Sequence, residues 1–144
     1  QKKLFLLHII TKLDYKMLES LNIDNTESTP EVILDKENKI FLIRGDILPE
    51  NSFEFFDPIY KWFDDYSNDP DEEFSIEFSI NIINTSSTRR LVSLFKIFES
   101  IIDLGKCKKI KVIWIHLPDD EIMQYTAYEF GNAFKKLIFE TKLK

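Results

Sequence analysis

The chain has 144 residues, of which 44% are hydrophobic and 31% charged, and its formal net charge is −6. A chain of this length buries most of its apolar surface as a single domain without disulfides or metal ions. Its acidic balance repels phosphate backbones and anionic lipids, so we expect neither nucleic acid nor a membrane as a partner. Cys107 has no second cysteine to pair with, which indicates a reducing, cytoplasmic environment.

The first sixteen residues stand apart from the rest. Met17 is a candidate start, which makes residues 1–16 an N-terminal extension of uncertain status and residues 17–144 the single folded domain. Apolar residues recur at helical spacing along the extension and predict a helix there: Leu4, Leu7, Ile10, Leu13 and Met17.

The first predicted elements of the domain are the strands of a β-hairpin. Glu31–Leu34 and Lys39–Arg44 are short apolar runs, and the polar residues Asp35–Asn38 between them suit a tight turn. We expect Gly45 to end the second strand.

A helical period follows the hairpin, with Phe53, Phe56, Ile59, Tyr60 and Phe63 on one stripe. Pro58 lacks the N–H that a helix interior requires, and its ring clashes with the preceding turn. With Asp57 as N-cap and Pro58 at the first helical position, we expect the helix to kink or restart there. The acidic stretch 64–73 after it is typical of a solvated loop.

Residues 74–82, "FSIEFSINI", are the clearest strand of the sequence. Apolar and polar residues alternate, so we expect one side of the strand to carry Phe74, Ile76, Phe78, Ile80 and Ile82. A strand with one apolar and one polar face belongs to a sheet covered on one side only.

The remaining elements alternate between helix and strand. We predict a helix from about Ser86 to Leu104, which Gly105 ends, and then a strand over 108–116. A further helix, capped by Asp119 or Asp120, runs to about Lys136, and "LIFETKL" forms the closing strand. The resulting order ββαβαβαβ indicates an α/β fold, with a single-layer mixed β-sheet and helices packed mainly on one face.

Four hydroxyl residues, Thr85 to Thr88, lie where the strand passes into the second helix. One hypothesis is a helix cap supplied by Thr85, Ser86 or Ser87. A second is a catalytic nucleophile, which requires an activating base. Only His8 and His116 are available as histidines, and no glycine-flanked elbow surrounds Thr85, so we do not expect an enzyme.

The third hypothesis is a phosphorylation site. A phosphoryl group adds about −1.5 to −2 charges, which a helix N-terminus tolerates and a docked partner does not. Arg89 lies four residues beyond Thr85, within reach of such a group. From the residues alone, Arg89 and Arg90 are equally well explained as ordinary exposed arginines.

A metal site finds little support in the sequence. The candidate ligands Asp46, Glu50, Asp119 and Asp120 are explained as caps and loop carboxylates, because no His or Cys spacing accompanies them. We therefore expect neither a metal nor another cofactor.

Several short motifs follow one another along the chain: "ESTPEVILD" (27–35), "GDILPENSFEFFDPIYKWF" (45–63), "INTSS" (83–87), and Trp114 followed by "DDEIM" and "EFGNAF". Together, in this order and spacing, they resemble the SiaC family of bacterial regulatory phosphoproteins. The position of "NTSS" at a strand end that opens a helix also resembles the phosphoacceptor position of STAS-type anti-sigma-factor antagonists. The resemblance implies a STAS-like arrangement of the fold.

The resemblance also implies a switch protein rather than an enzyme. A Ser/Thr protein kinase would phosphorylate Thr85, and a PP2C-type phosphatase would remove the phosphate. The unphosphorylated form would bind and activate a diguanylate cyclase, which raises cyclic-di-GMP and promotes biofilm formation. Asn84, Ser86, Ser87 and Arg89 would cap the helix and shape the docking surface. An anti-sigma-factor-antagonist type of partner switch, or a small carboxylate-dependent enzyme, is the alternative.

Overall fold

The structure is a computed structural model that describes residues 1–6 and 17–144. Its nine principal elements are β1 (Leu21–Ile23), β2 (Glu31–Asp35), β3 (Ile40–Ile47), α1 (Ser52–Tyr66), β4 (Glu73–Ile83), α2 (Thr85–Asp103), β5 (Lys109–His116), α3 (Glu121–Ala133) and β6 (Ile138–Leu143). The order is therefore βββαβαβαβ, with β1 added to the predicted elements. Sequence periodicity misses β1 because three residues are too few to show an alternation.

Six strands form one mixed sheet in the order β1-β2-β3-β4-β5-β6. The first three pair antiparallel, whereas β3 to β6 are parallel, so the predicted hairpin is confirmed as β2 and β3. Each of the three helices connects two neighbouring parallel strands. Right-handed crossovers in one direction along a sheet place such helices on the same face. The predicted α/β fold with helices on one face is confirmed.

The core lies between the sheet and the three helices. Phe95 of α2 is at its centre, fully buried, with its ring in contact with rings from β4, α3 and β6. On β4 the residues facing the helices are buried, whereas Ser75 and Glu77 on the opposite face are exposed. One apolar layer thus holds the helices to the sheet.

Two predictions about β3 and β4 are wrong, because the two strands stay paired beyond Gly45 and their register shifts there. Gly45 has φ +125° but does not end β3, which continues to Ile47. The pairing passes from Gly45–Ile80 to Ile47–Ile83, so β4 carries one additional residue there. That residue reverses the alternation. Ile83 consequently packs against the core, and Ile82 is 51% exposed.

The predicted restart at Asp57 and Pro58 is also wrong, because α1 runs through Pro58 without interruption. Its N-cap is Asn51, and Asp57 instead forms an ion pair with Lys61 at 2.9 Å. Proline inside a helix costs about 3 kcal/mol. Completely burying each large apolar side chain stabilises the fold by about 1.5–3 kcal/mol, and α1 has three such residues spanning the proline: Phe56, Ile59 and Phe63.

The predicted acidic loop is shorter than expected, because α1 extends to Tyr66. The Tyr66 hydroxyl donates to Asp71 Oδ2 at 2.8 Å and accepts from the Asp71 backbone N–H at 3.0 Å. These two bonds fix the loop to the end of the helix.

The later boundaries agree with prediction at Gly105 and Asp120. Gly105 has φ +87° and follows the end of α2, while Asp120 caps α3 by accepting from Met123 N at 3.1 Å. Asp119 is not the cap, and α3 ends at Ala133 rather than at Lys136.

Residues 2–6 are helical, in agreement with part of the helix predicted for the extension. Met17 is not helical. The rest of that predicted helix, residues 7–16, lies outside the described residues.

Candidate functional site

The starts of α1 and α2 lie side by side at one edge of the sheet. Both helices follow parallel strands, β3 and β4, whose carboxyl ends meet there. The Asn84 backbone N–H donates to Ile47 O at 3.1 Å, and Asn84 Nδ2 donates to Pro49 O at 3.4 Å. These two bonds hold the hydroxyl cluster against the segment that leads into α1.

The cap of α2 is the side chain of Asn84. Its Oδ1 accepts from the Ser87 backbone N–H at 2.9 Å and from Ser86 Oγ at 3.3 Å. The hypothesis that Thr85, Ser86 or Ser87 supplies the cap is therefore wrong. Asn84 takes that position because it is the last extended residue after β4, with φ −83° and ψ 165°.

The four hydroxyl groups have different environments. Thr88 Oγ1 donates to Asn84 O at 3.1 Å, and Ser86 donates to the cap. Ser87 is fully buried, with an Oγ that lacks a hydrogen-bond partner among the described residues. Thr85 is exposed at the first position of α2, and its hydroxyl makes no hydrogen bond within residues 1–6 and 17–144. Thr85 is therefore the exposed residue of the cluster whose hydroxyl makes no hydrogen bond to the described residues.

Two arginines flank this surface in different ways. Arg89 is exposed and lies one helical turn beyond Thr85, on the same side of α2. The Arg90 guanidinium lies over the Phe53 ring, 3.9 Å from its centroid. The Arg90 backbone oxygen accepts from the Tyr60 hydroxyl at 2.6 Å, and burial raises the pKa of that phenol above its ordinary value. These contacts connect α1 with the second turn of α2.

The Arg90–Phe53 contact was missed by the sequence analysis. The helical period places Phe53 on the same apolar stripe as Phe56 and Phe63, yet it is 64% exposed. No sequence signal connects these two residues, because the contact depends on how α1 packs against α2. The sequence did contain a weak signal for Asn84 as the cap of α2, since asparagine is among the preferred N-cap residues.

Among the described residues, the other candidates do not assemble into a metal site. His116 is buried at the end of β5, with Nδ1 2.8 Å from Leu117 O. His8 lies outside the described residues. Asp120 is used as a cap, and no group of three or more His, Cys, Asp or Glu side chains in the described part of the chain could hold a metal ion.

No helix within residues 1–6 and 17–144 has the length and apolar character that crossing a bilayer requires.

Comparison with known proteins identifies the family. The model of the SiaC family of regulatory phosphoproteins matches residues 23–144. The chain belongs to the SiaC family. It is also 25% identical over 113 residues to an uncharacterized protein of Pseudomonas aeruginosa strain UCBPP-PA14, an alignment that covers 78% of this chain and 88% of that protein.

Solved structures show the same fold. Apo-SiaC of P. aeruginosa superposes with a TM-score of 0.75 at 23% identity, covering 86% of this chain and 98% of the other. A chain in the crystal structure of the P. aeruginosa diguanylate cyclase SiaD in complex with its activator SiaC gives a TM-score of 0.78 at 23% identity, covering 86% and 99%. The resemblance inferred from short motifs is confirmed over most of the chain.

Proposed function

We propose that this protein is a non-enzymatic regulatory phosphoprotein of the cytoplasm. Its unphosphorylated form binds and activates a diguanylate cyclase, and phosphorylation of Thr85 blocks that binding. A Ser/Thr protein kinase adds the phosphate, and a PP2C-type phosphatase removes it. The output is cyclic-di-GMP signalling and biofilm formation. The observation that carries the proposal is the exposed, unengaged hydroxyl of Thr85 at the start of α2 in a SiaC-family chain.

The position of Thr85 suits a modification that changes binding without unfolding the domain. The cap of α2 is supplied by Asn84, so a phosphate on the neighbouring residue displaces no structural hydrogen bond. The positive end of the helix macrodipole stabilises a nearby anion by about 0.3–1 kcal/mol. The modified protein therefore keeps its fold, and the change is confined to the surface.

Phosphorylation of Thr85 affects partner binding far more than it affects the fold. Phosphorylation places about −1.5 to −2 charges on a surface that was neutral at that point. Covering such a group removes its hydration, which is costly unless the partner supplies cations in the right place. The phosphate thus prevents docking by charge and by desolvation.

The docking surface in this proposal comprises Asn84, Thr85, Ser86 and Arg89, and Ser87 is buried beneath it. The functional unit is the domain 17–144, and residues 1–16 are an extension to it. The family match over residues 23–144 supports this division.

The experiment measures cyclic-di-GMP synthesis by a diguanylate cyclase from the same organism, with and without purified variants. Thr85→Ala should bind and activate like the wild type, because the hydroxyl is exposed and unbonded. Thr85→Glu should weaken binding by about tenfold, since it reproduces only part of the phosphate charge. Ser100→Glu is the control, because it adds the same charge at an exposed position near the far end of α2.

Two results would contradict the proposal. Loss of binding in Thr85→Ala would make the hydroxyl a required contact rather than a gate. Equal weakening by Thr85→Glu and Ser100→Glu would show that the partner responds to total charge and does not dock at the start of α2.

A further inference from the structure

Arg90 is the only partly buried basic residue in the described part of the chain that lacks a carboxylate partner. Six basic side chains form ion pairs in the described part of the chain: Lys36, Arg44, Lys61, Lys108, Lys111 and Lys136. The Arg90 guanidinium forms none with any described residue, and its Nε is buried without a hydrogen-bond partner. A guanidinium carries five N–H donors in a rigid fork, which match the two oxygens of a carboxylate.

Phe53 holds this guanidinium at the surface. The Arg90 Cζ lies 3.9 Å from the centroid of the ring, a cation–π contact in which the face of the ring attracts the positive charge. Because Phe53 is 64% exposed, the ring is not needed to fill the core. Together the two side chains present a flat apolar surface beside a fixed, unpaired positive charge. Aromatic residues and arginine are the types most enriched at the centres of protein interfaces.

The Arg90–Phe53 pair is close to the phosphorylation site. Thr85 and Arg90 are five positions apart on α2, which corresponds to about 7.5 Å along the helix axis and about 140° around it. Phe53 reaches the same surface from the first turn of α1, which the Asn84–Pro49 bond places beside the start of α2. A partner that docks across the starts of both helices therefore covers Thr85 together with the Arg90–Phe53 pair.

We propose that Arg90 binds a carboxylate of the docking partner and that Phe53 packs against an apolar residue next to that carboxylate. This inference rests on the proposed function, because the partner is the cyclase whose docking Thr85 gates. It specifies the chemistry of the contact, which is an acidic and apolar segment. It also names the group that the phosphate would repel, since phospho-Thr85 and the partner's carboxylate are both negatively charged.

Arg89 has a separate role in this arrangement. It lies on the Thr85 side of α2 and is exposed, so it pairs with the phosphate when Thr85 is modified. Arg90 faces Phe53 and remains directed toward the partner. The two adjacent arginines therefore serve the two opposite states of the switch.

The test compares Arg90→Met with Lys96→Met in a binding assay with the cyclase. Methionine retains contact with the Phe53 ring through its polarisable sulfur but removes the charge and the donors. Lys96 is exposed on the same helix, so its replacement changes the net charge equally without altering the contact. We expect Arg90→Met to weaken binding by about tenfold to a hundredfold, with Lys96→Met within about twofold of the wild type.

A double-mutant cycle then tests the connection to Thr85. If glutamate at position 85 acts by repelling the carboxylate that Arg90 holds, Thr85→Glu should weaken binding less in the Arg90→Met background than in the wild type. Additive effects would overturn this part of the inference. Thermal unfolding of each variant verifies that the fold is retained.

The outcomes separate the inference from the function on which it rests. Wild-type binding that Thr85→Glu weakens but Arg90→Met does not would overturn the Arg90 contact and leave the switch intact. Absence of any binding between the wild-type chain and the cyclases of its organism would overturn the proposed function and this inference with it.

Discussion

Replacing Asn84 by alanine should destabilise the domain through the first turn of α2. The side chain caps the helix through a 2.9 Å bond from Ser87 N–H, and loss of such a cap typically costs about 1–2 kcal/mol. The additional bond to Pro49 O is long at 3.4 Å, so it adds little to this cost. For a domain of this size we expect the melting temperature to fall by about 3–8 °C.

Urea unfolding followed by circular dichroism measures this directly. The midpoint should fall while the slope of the transition stays unchanged, because the surface exposed on unfolding is the same. Asn84→Asp retains a capping oxygen and should remain close to the wild type. Ser86→Ala should cost less than about 0.5 kcal/mol, because the Ser86 side chain is exposed and its bond to Asn84 Oδ1 is long at 3.3 Å. A loss in Ser86→Ala as large as that in Asn84→Ala would refute the assignment of the cap.

Three further predictions concern stability and reactivity. Thr85→Glu should leave the melting temperature unchanged or raise it by up to about 3 °C, because a carboxylate at the start of a helix is favourable; a clear decrease in differential scanning calorimetry would contradict this. Tyr66→Phe should cost about 1–3 kcal/mol in urea unfolding at pH 8, because the buried hydroxyl bonds Asp71 twice. Burial raises the pKa of Tyr66 above its ordinary value of 10, so this phenol stabilises the fold below pH 10 and the contribution declines as the pH rises further. The stability of Tyr66→Phe should accordingly fall less between pH 9 and 11, and parallel profiles would be inconsistent with that assignment. Burial also raises the pKa of the Cys107 thiol, so a thiol reagent should label it only in urea; rapid labelling of the folded protein would count against its burial.

Much of the fold could be predicted because its strongest elements carry their own periodicity. The alternation in β4 and the helical stripe of α2 depend on neighbouring residues, so they are visible in one sequence. Gly105 and Asp120 act locally as well, as a left-handed C-terminal residue and an N-cap. Each of these signals lies within a few residues of the structure it specifies.

The wrong predictions concern features that depend on distant partners. The exposure of Ile82 follows from the register of β4 against β3, which no single strand encodes. The continuity of α1 through Pro58 follows from burial of apolar residues on both sides of it. Tertiary packing overrides the local preference in both cases.

The features of the candidate site are likewise of two kinds: those that the local sequence indicates and those that depend on contacts between distant residues. The hydroxyl cluster could be found from the sequence because it lies at a predicted junction of strand and helix, and the resemblance to the SiaC family then implied Thr85 as the phosphoacceptor. The resemblance implied Asn84 as one of several capping residues, and the structure shows that its side chain accepts from the Ser87 backbone N–H. The Arg90–Phe53 contact requires two helices that are far apart in the chain to pack together, so it could be found only in the folded molecule.

Phosphosite mapping by mass spectrometry, on protein isolated from its own organism, tests the central claim most directly. The account predicts a phosphate on Thr85, in a fraction that changes with growth conditions as kinase and phosphatase activities change. Deep coverage of this peptide under several conditions, with no phosphate anywhere from Thr85 to Thr88, would contradict it. The hydroxyl cluster would then be only the first turn of a capped helix.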